Sequence, residues 1–212
     1  MSRRSLFVGV LIAAGLLATA CTGKTPDGGS SPSATTSPPT SAAGGLPYAG
    51  APKVPNPLPV SVLSGNPCAD ALTAAQIDTL LGSPVQTKQG ETSGVGPDCG
   101  WSNLDKGSQI GVGYDTTTHT GLSGNYQNTQ PKSAVWKPLP DIQGFPAVAH
   151  AGNKGQPALK DFCAVSVGLA DDTSIDVSVS LGRAKIGSVD PCDVAGQAAD
   201  AVVTTLKAKA GS

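Results

Sequence analysis

Two stretches of strict alternation carry the clearest structural signal in this chain. Cys163, Val165, Val167 and Leu169 alternate with Ala164, Ser166 and Gly168, and Ile175, Val177, Val179 and Leu181 alternate with Ser174, Asp176, Ser178 and Ser180. A period of two with one apolar and one small or polar side predicts strands that are buried on one face. The Asp171-Asp172-Thr173 segment between the two runs reads as the turn of a hairpin. Earlier in the chain Cys99 and Trp101 fall on one side of a strand. Ile110, Val112 and Tyr114 fall on one side of the next, across an Asp105-Lys106-Gly107 turn. Phe145 to His150 is a further short strand.

The period changes to that of a helix on either side of this strand-rich region. Thr73-Ala-Ala-Gln76 fits a capping box, in which the Thr hydroxyl and the Gln side chain each satisfy a free backbone N–H of the first turn. Leu72 and Ile77 stand where a hydrophobic staple would close; Ile77, Leu80 and Leu81 share a face, and Gly82 with Pro84 ends the helix. The last helix opens at Asp190-Pro191, an N-cap followed by Pro at the tolerated first position. Val194, Ala198, Ala201, Val202 and Leu206 then recur at helical spacing. Sheets with one polar face are antiparallel as a rule. The predicted fold is therefore α+β: a twisted antiparallel sheet with an N-terminal and a C-terminal helix packed on one face, held by two disulfides.

The N-terminus has a different pattern. Arg3 and Arg4 precede an apolar run from Leu6 to Leu17, and small residues Ala18-Thr19-Ala20 then lead to Cys21. The run falls short of the roughly 20 residues that span a bilayer, and its flanks are those of an export signal. A plain secretory signal cleaved after Ala20 would leave Cys21 as a free thiol in an oxidising compartment. The layout instead matches a lipoprotein signal, although Ala18 stands where Leu is usual and Leu17 lies one residue further back. Residues 1–20 are thus expected to be a signal peptide and Cys21 to carry a diacylglyceryl group. Two acyl chains anchor stably where one binds only reversibly. The expected location is the outer face of the cell membrane, with covalent lipid as the membrane contact.

Composition divides what remains. Of the 27 Gly and 18 Pro, many crowd into the first third, as in the Ser-, Thr-, Pro-, Gly- and Ala-rich run from Ser30 to Gly45. Residues 21–61 hold too little apolar surface to offset the entropy of ordering, and are expected to be a disordered tether. As a flexible coil it would average roughly 35 Å end to end, and its Ser, Thr and Pro also suit O-glycosylation. Residues 62–212 are near the modal domain size and are expected to be a single domain. From Cys21 onward, 12 Lys and Arg stand against 15 Asp and Glu, a net of −3. Nothing there resembles the basic footprint of a nucleic-acid binder or a polybasic patch for anionic lipid.

Beyond Cys21 the cysteines are Cys68, Cys99, Cys163 and Cys192, an even number in an exported domain, which implies two disulfides. No two have the close spacing of a structural zinc site, and there is no C-x-x-C. Of the three possible connectivities, the simplest joins neighbours in sequence, Cys68–Cys99 and Cys163–Cys192. Each then closes a loop of ~30 residues, for which the chain-entropy argument gives about 3 kcal/mol or somewhat more.

The ordered set of Asn66-Pro67-Cys68, Cys99-Gly100-Trp101, Gly144-Phe145-Pro146-Ala147-Val148, the hairpin from Cys163 through Asp171-Asp172, and Pro191-Cys192-Asp193 resembles a known group. It is similar to the actinobacterial lipoproteins of a domain-of-unknown-function family that includes LprB/LprC-type lipoproteins. The resemblance covers most of residues 65–207 together with the lipid signal. It implies an actinobacterial envelope location and no particular reaction, so it assigns no catalytic residue.

Candidate chemistry is sparse. The histidines are His119 and His150. Gly121-Leu-Ser-Gly-Asn125 lacks the fifth-position Gly of a nucleophile elbow, and a Ser123–His119 pair on one polar loop lacks the held geometry of a triad. Gly111-Val112-Gly113 lacks the rest of a nucleotide fingerprint; in a strand its glycines would allow a helix to pack closely. Asp171-Asp172 falls far short of a calcium loop, and His150 reads as a surface or satisfied polar residue. No catalytic residue, metal or cofactor is expected.

The stretch from Asp115 to Lys132 is unusual, since only Leu122 and Tyr126 are strongly apolar. A loop of that length is commonly functional or disordered. It is expected to be a mobile, solvated loop with a short helical turn, from which Tyr126, with Trp136 beyond it, could contact a ligand or partner. The expected function is non-enzymatic: a lipid-anchored envelope domain that binds an unknown envelope protein or small ligand. The second reading is a sensor or accessory module of an envelope transporter or receptor, and the third a cell-wall-acting enzyme.

Overall fold

A computed structural model describes residues 45–157 and 159–211; the expected signal peptide, Cys21 and most of the expected tether lie outside the described residues. Seven strands form one sheet: β1 (Gln86–Thr92), β2 (Gly96–Asn103), β3 (Ser108–Asp115), β4 (Ser133–Ile142), β5 (Phe145–Asn153), β6 (Phe162–Ala170) and β7 (Thr173–Ser180). Their order is β1-β2-β3-β7-β6-β5-β4, and every neighbouring pair is antiparallel. The β6–β7 hairpin, read from its alternation, sits at the centre. Its register pairs Val165 with Val177 and Val167 with Ile175, and β3 continues the same apolar row with Val112 and Tyr114.

That row is the helix face. Helix α1 (Pro67–Asp70) and α2 (Ala74–Leu81) lie over β1 to β3, and α4 (Pro191–Ala210) lies mainly over β6 and β7. The sheet, α1, α2 and α4 bury one core that includes Trp101, Val177 and Leu206. The local signals act as expected. Thr73 N–H donates to Gln76 Oε1 at 2.7 Å and Gln76 N–H to Thr73 Oγ1 at 3.2 Å, closing the capping box. Asp190 accepts the Cys192 N–H at 2.8 Å. Asn66 caps α1 in the same way through the Cys68 N–H, 2.9 Å away.

The disulfides join Cys68 to Cys99 and Cys163 to Cys192. Each rivets the first turn of a helix to the apolar row of a strand. Among the described residues no helix is long and apolar enough to cross a membrane.

The second face of the sheet departs from expectation in two places. The first concerns the expected disordered tether: from residue 45 to 61 the chain runs along the surface of the domain, tied to it by hydrogen bonds and by the buried Val54, so the folded unit begins well before residue 62. The Tyr48 N–H donates to Ser123 Oγ at 2.9 Å, the Val54 N–H to Asp171 Oδ1 at 2.8 Å and the Leu58 N–H to the Leu169 carbonyl at 2.9 Å. Val54 is 5% exposed and lies over Gly168, where a Cβ would meet it at 3.3 Å. The segment passes round the tip of the β6–β7 hairpin to a 3-10 turn at Val60–Leu63, which packs against α4. A few backbone hydrogen bonds and one well-seated valine order a stretch whose average composition argues for disorder.

The second is the 115–132 loop. It holds a helix, α3 (Leu122–Asn128), docked on β6 with Leu122 and Ser123 buried, in place of a stretch solvated throughout. Leu122 is 3% exposed and covers Gly168, where a Cβ would meet its side chain at 3.1 Å. Gly121 enters α3 at φ +51°, and a Cβ there would lie 2.4 Å from the Asp171 carbonyl oxygen. Only glycine fits that turn.

Candidate functional site

The polar positions of the central strands converge under α3. Ser166 on β6 and Asp176 on β7 face each other across the ladder, and His150 on β5 lies beside them. The Ser166 hydroxyl is fully buried and donates to Asp176 Oδ1. It accepts from Asn125 Nδ2 of α3 at 2.8 Å and lies 3.1 Å from His150 Nε2. A carboxylate can only accept, so the Ser166 proton points to Asp176 and the imidazole nitrogen must donate. A nucleophilic serine has the opposite wiring, giving its proton to histidine. The residue types of a triad are present, but in a structural order.

Tyr126 and Trp136, the two side chains expected to contact a ligand or partner, are brought together above this network. Their ring centroids are 5.0 Å apart at 89°, and Trp136 stacks on His150 at 6.1 Å and 27°. The Trp136 Nε1–H is shut off from solvent without an acceptor among the protein groups. Burial pushes the Tyr126 phenol above its ordinary pKa. Edge-on and stacked aromatic contacts of this kind add about 0.5–1.5 kcal/mol beyond their burial.

Other sequence candidates are not brought together. Ser123 is buried and accepts the Tyr48 N–H, whereas His119 is exposed. Gly111 and Gly113 lie on the α3 side and make room for no helix; a Cβ on Gly111 would meet Ser178 Oγ at 2.7 Å, and Gly113 faces open space. Asp171 and Asp172 accept from the Val54 N–H and the Thr173 hydroxyl. Among the described residues no cluster of His, Cys, Asp and Glu could hold a metal.

The helix face holds a cavity that the sequence did not signal. Gln76 Nε2 of α2 donates to the Ala201 carbonyl of α4 at 2.9 Å, and Thr205 Oγ1 to Gln76 Oε1 at 3.0 Å. Away from that contact the end of α2 and the start of α4 stand apart, leaving about 460 Å³ over the ends of β3 and β7. Leu80 and Leu81 form one wall, Val194 the other, and Ile110, Val179 and Leu181 the floor. Lys106, Arg183 and Lys185 stand at its rim with Asp78 and Asp105. The Lys106 ammonium donates to the Leu81 carbonyl at 3.1 Å, and the Arg183 guanidinium to the Asp105 carbonyl at 2.6 Å. The volume lies within the 300–1,000 Å³ usual for small-molecule sites.

A protein family of unknown function, DUF3558, matches residues 16–205, a span that takes in Cys21 and all four paired cysteines. The chain belongs to the DUF3558 family. No curated protein and no solved structure matches it. In this DUF3558 chain the cavity escaped sequence reading because its parts come from four separated segments. Lys106 and Arg183 sit in turns, where a cation reads as solvated surface, and neither belongs to a periodic pattern.

Proposed function

We propose that this DUF3558 protein is a lipid-anchored lipoprotein of the actinobacterial cell envelope whose domain binds a small ligand without catalysis. The observation that carries the binding reading is the cavity of about 460 Å³ between α2 and α4, apolar below and polar at its rim. The non-enzymatic reading is supported by Ser166, whose hydroxyl is committed to Asp176 beneath α3. The anchored reading is supported by the export-type N-terminus and by a family match that includes Cys21.

Copurification tests the cavity. Protein taken gently from its native envelope should carry a small molecule visible in native mass spectrometry. Val194→Trp, which puts an indole into the cavity, should lose that molecule while melting normally. A ligand-free wild type, or equal loading of both proteins, would count against the cavity. Anchorage is tested separately. Cys21→Ala should move the protein out of the detergent phase or leave it unprocessed, and a cleaved Cys21→Ala protein that still partitions into detergent would overturn the lipid assignment.

A second reading, an accessory module that touches an envelope transporter or receptor, is favoured by the half-buried Tyr126–Trp136 pair. Aromatic side chains with one polar edge are typical anchors of protein contacts.

A further inference from the structure

We infer that the cavity between α2 and α4 takes an anionic amphiphile: a single alkyl or acyl chain ending in a carboxylate or phosphate. The inference rests on the binding reading of that cavity and adds the chemical class of the occupant. Leu80, Leu81 and Val194 on the walls and Ile110, Val179 and Leu181 below them give an alkyl chain an apolar lining, with Thr79 and Ser180 among the polar residues around it. Leu80 and Val194 are only half-buried because the cavity exposes them, so a chain laid between them would remove apolar surface from water.

The rim selects the head group. The Arg183 N–H donates to the Lys106 carbonyl at 3.0 Å, which ties the 105–107 turn to the 183–185 turn and sets both cations on one side of the opening. Lys106 Nζ and the Arg183 guanidinium each give one hydrogen bond to a backbone carbonyl. An ammonium has three donors and a guanidinium five, so both retain donors for an anion. Among the described residues neither forms an ion pair, and Lys185 adds a third cation at the rim. Asp78 and Asp105 also stand at the rim, so three cations face two carboxylates there, and Asp78 accepts the Ser83 hydroxyl at 2.6 Å. A cationic ligand would meet more positive than negative side chains at the rim, and a fully polar one would lose water from its own groups against the apolar lining.

The test uses the full mature chain, secreted as a Cys21→Ser protein, stripped of bound material and kept free of detergent. Calorimetric titrations compare dodecanoate and dodecyl phosphate with dodecyl maltoside, which has the same chain and a neutral head, and with inorganic phosphate, the head alone. Both anionic amphiphiles should bind one to one. The maltoside should bind about tenfold more weakly or worse, and phosphate should give no signal, because charge-assisted contacts of this kind are worth about one such factor each. Lys106→Gln with Arg183→Gln should weaken the anions about tenfold or more and leave the maltoside unchanged. Lys185→Glu, at an exposed site, supplies the same comparison if the double variant melts early.

Equal binding of the neutral and anionic chains, abolished by Val194→Trp, would overturn the anionic class and leave the cavity reading standing. Phosphate binding as tight as that of dodecyl phosphate would overturn the amphiphile and assign a simple anion site. No binding of any chain to a well-folded protein would remove both readings.

Discussion

Replacing Cys163 and Cys192 together by alanine is expected to destabilise the domain by about 3–4 kcal/mol, on the chain-entropy argument for a loop of this size. The two residues are 29 apart in sequence. For a domain of this length, each kcal/mol is worth roughly 2–4 °C in melting temperature, so the midpoint should fall by ~10 °C. The Cys68–Cys99 bond spans 31 residues, so the entropic part of its loss should be nearly equal. The difference lies in the native state. Cys163 and Cys192 are both buried, between the central strand β6 and the first turn of α4, whereas Cys68 is only half-buried on the short α1. Alanine at 163 and 192 also leaves a gap between sheet and helix, and gaps in a packed interior add to the loss. The Cys163–Cys192 double variant should therefore melt lower than the Cys68–Cys99 one in parallel thermal scans. Equal midpoints would show that packing around Cys163 does not matter. Peptide mapping without reductant should recover the two linked pairs, and Cys68 joined to Cys163 or Cys192 would show the rivets to be elsewhere.

Where each residue's partner lay nearby in sequence, the fold was legible. The β6–β7 hairpin announced itself by alternation because its apolar side packs on α4 and its other side carries Ser166, Asp176 and Ser178. The capping box at Thr73 and the cap at Asp190 are local hydrogen bonds, and the pairing of cysteines followed from the elements beside them. Edge strands were not legible. In β1, Gln86–Thr92, there is no apolar residue to show a period, and it exists because its backbone completes the ladder beside β2. In β4, Pro138 and Pro140 argue against a strand, yet at the rim of a sheet proline is tolerated. Such prolines also blunt an edge against pairing with other chains.

The candidate site was legible in part. Tyr126 and Trp136 stood out as large side chains in polar surroundings, and the structure places them in contact. The Ser166–Asp176–His150 network did not stand out, because each of its members looks like the polar half of an alternating strand. The register, not the local sequence, brings them to one spot. The cavity depends on how far α2 and α4 stand apart, which is set by packing between segments more than a hundred residues distant in sequence. No short pattern encodes that separation.

Replacing residues 117–129 by a short Gly/Ser link is expected to destabilise the domain severely, although the polar composition of that stretch suggests a dispensable connector. Loop length itself would change stability by only about 0.6 kcal/mol per doubling. What the deletion removes is α3, and with it Leu122, which seals the glycine gap at Gly168 together with Val54. Leu122→Ala alone should cost about 2–5 kcal/mol, the range for a buried leucine truncated in place, and Leu122→Met less than about 1.5 kcal/mol. The deletion adds further losses. Ser123 no longer accepts the Tyr48 N–H, so the segment that crosses the hairpin tip loses a tie. Asn125 no longer donates to Ser166 and Asp176, and its removal opens to water a network that holds a fully buried hydroxyl. Losing one partner of such a group costs about 1–3 kcal/mol. Against a total stability of about 5–15 kcal/mol for a domain, the summed effect should bring the deleted protein close to unfolding at growth temperature, read as a broad early melt and a poor yield of folded protein. Tyr126→Ala keeps Leu122 and the Asn125 hydrogen bonds, so it should melt much closer to the parent protein. A loop-deleted domain with a normal melting curve would mean that Val54 closes over Gly168 unaided, and that α3 adds nothing to the stability of the sheet.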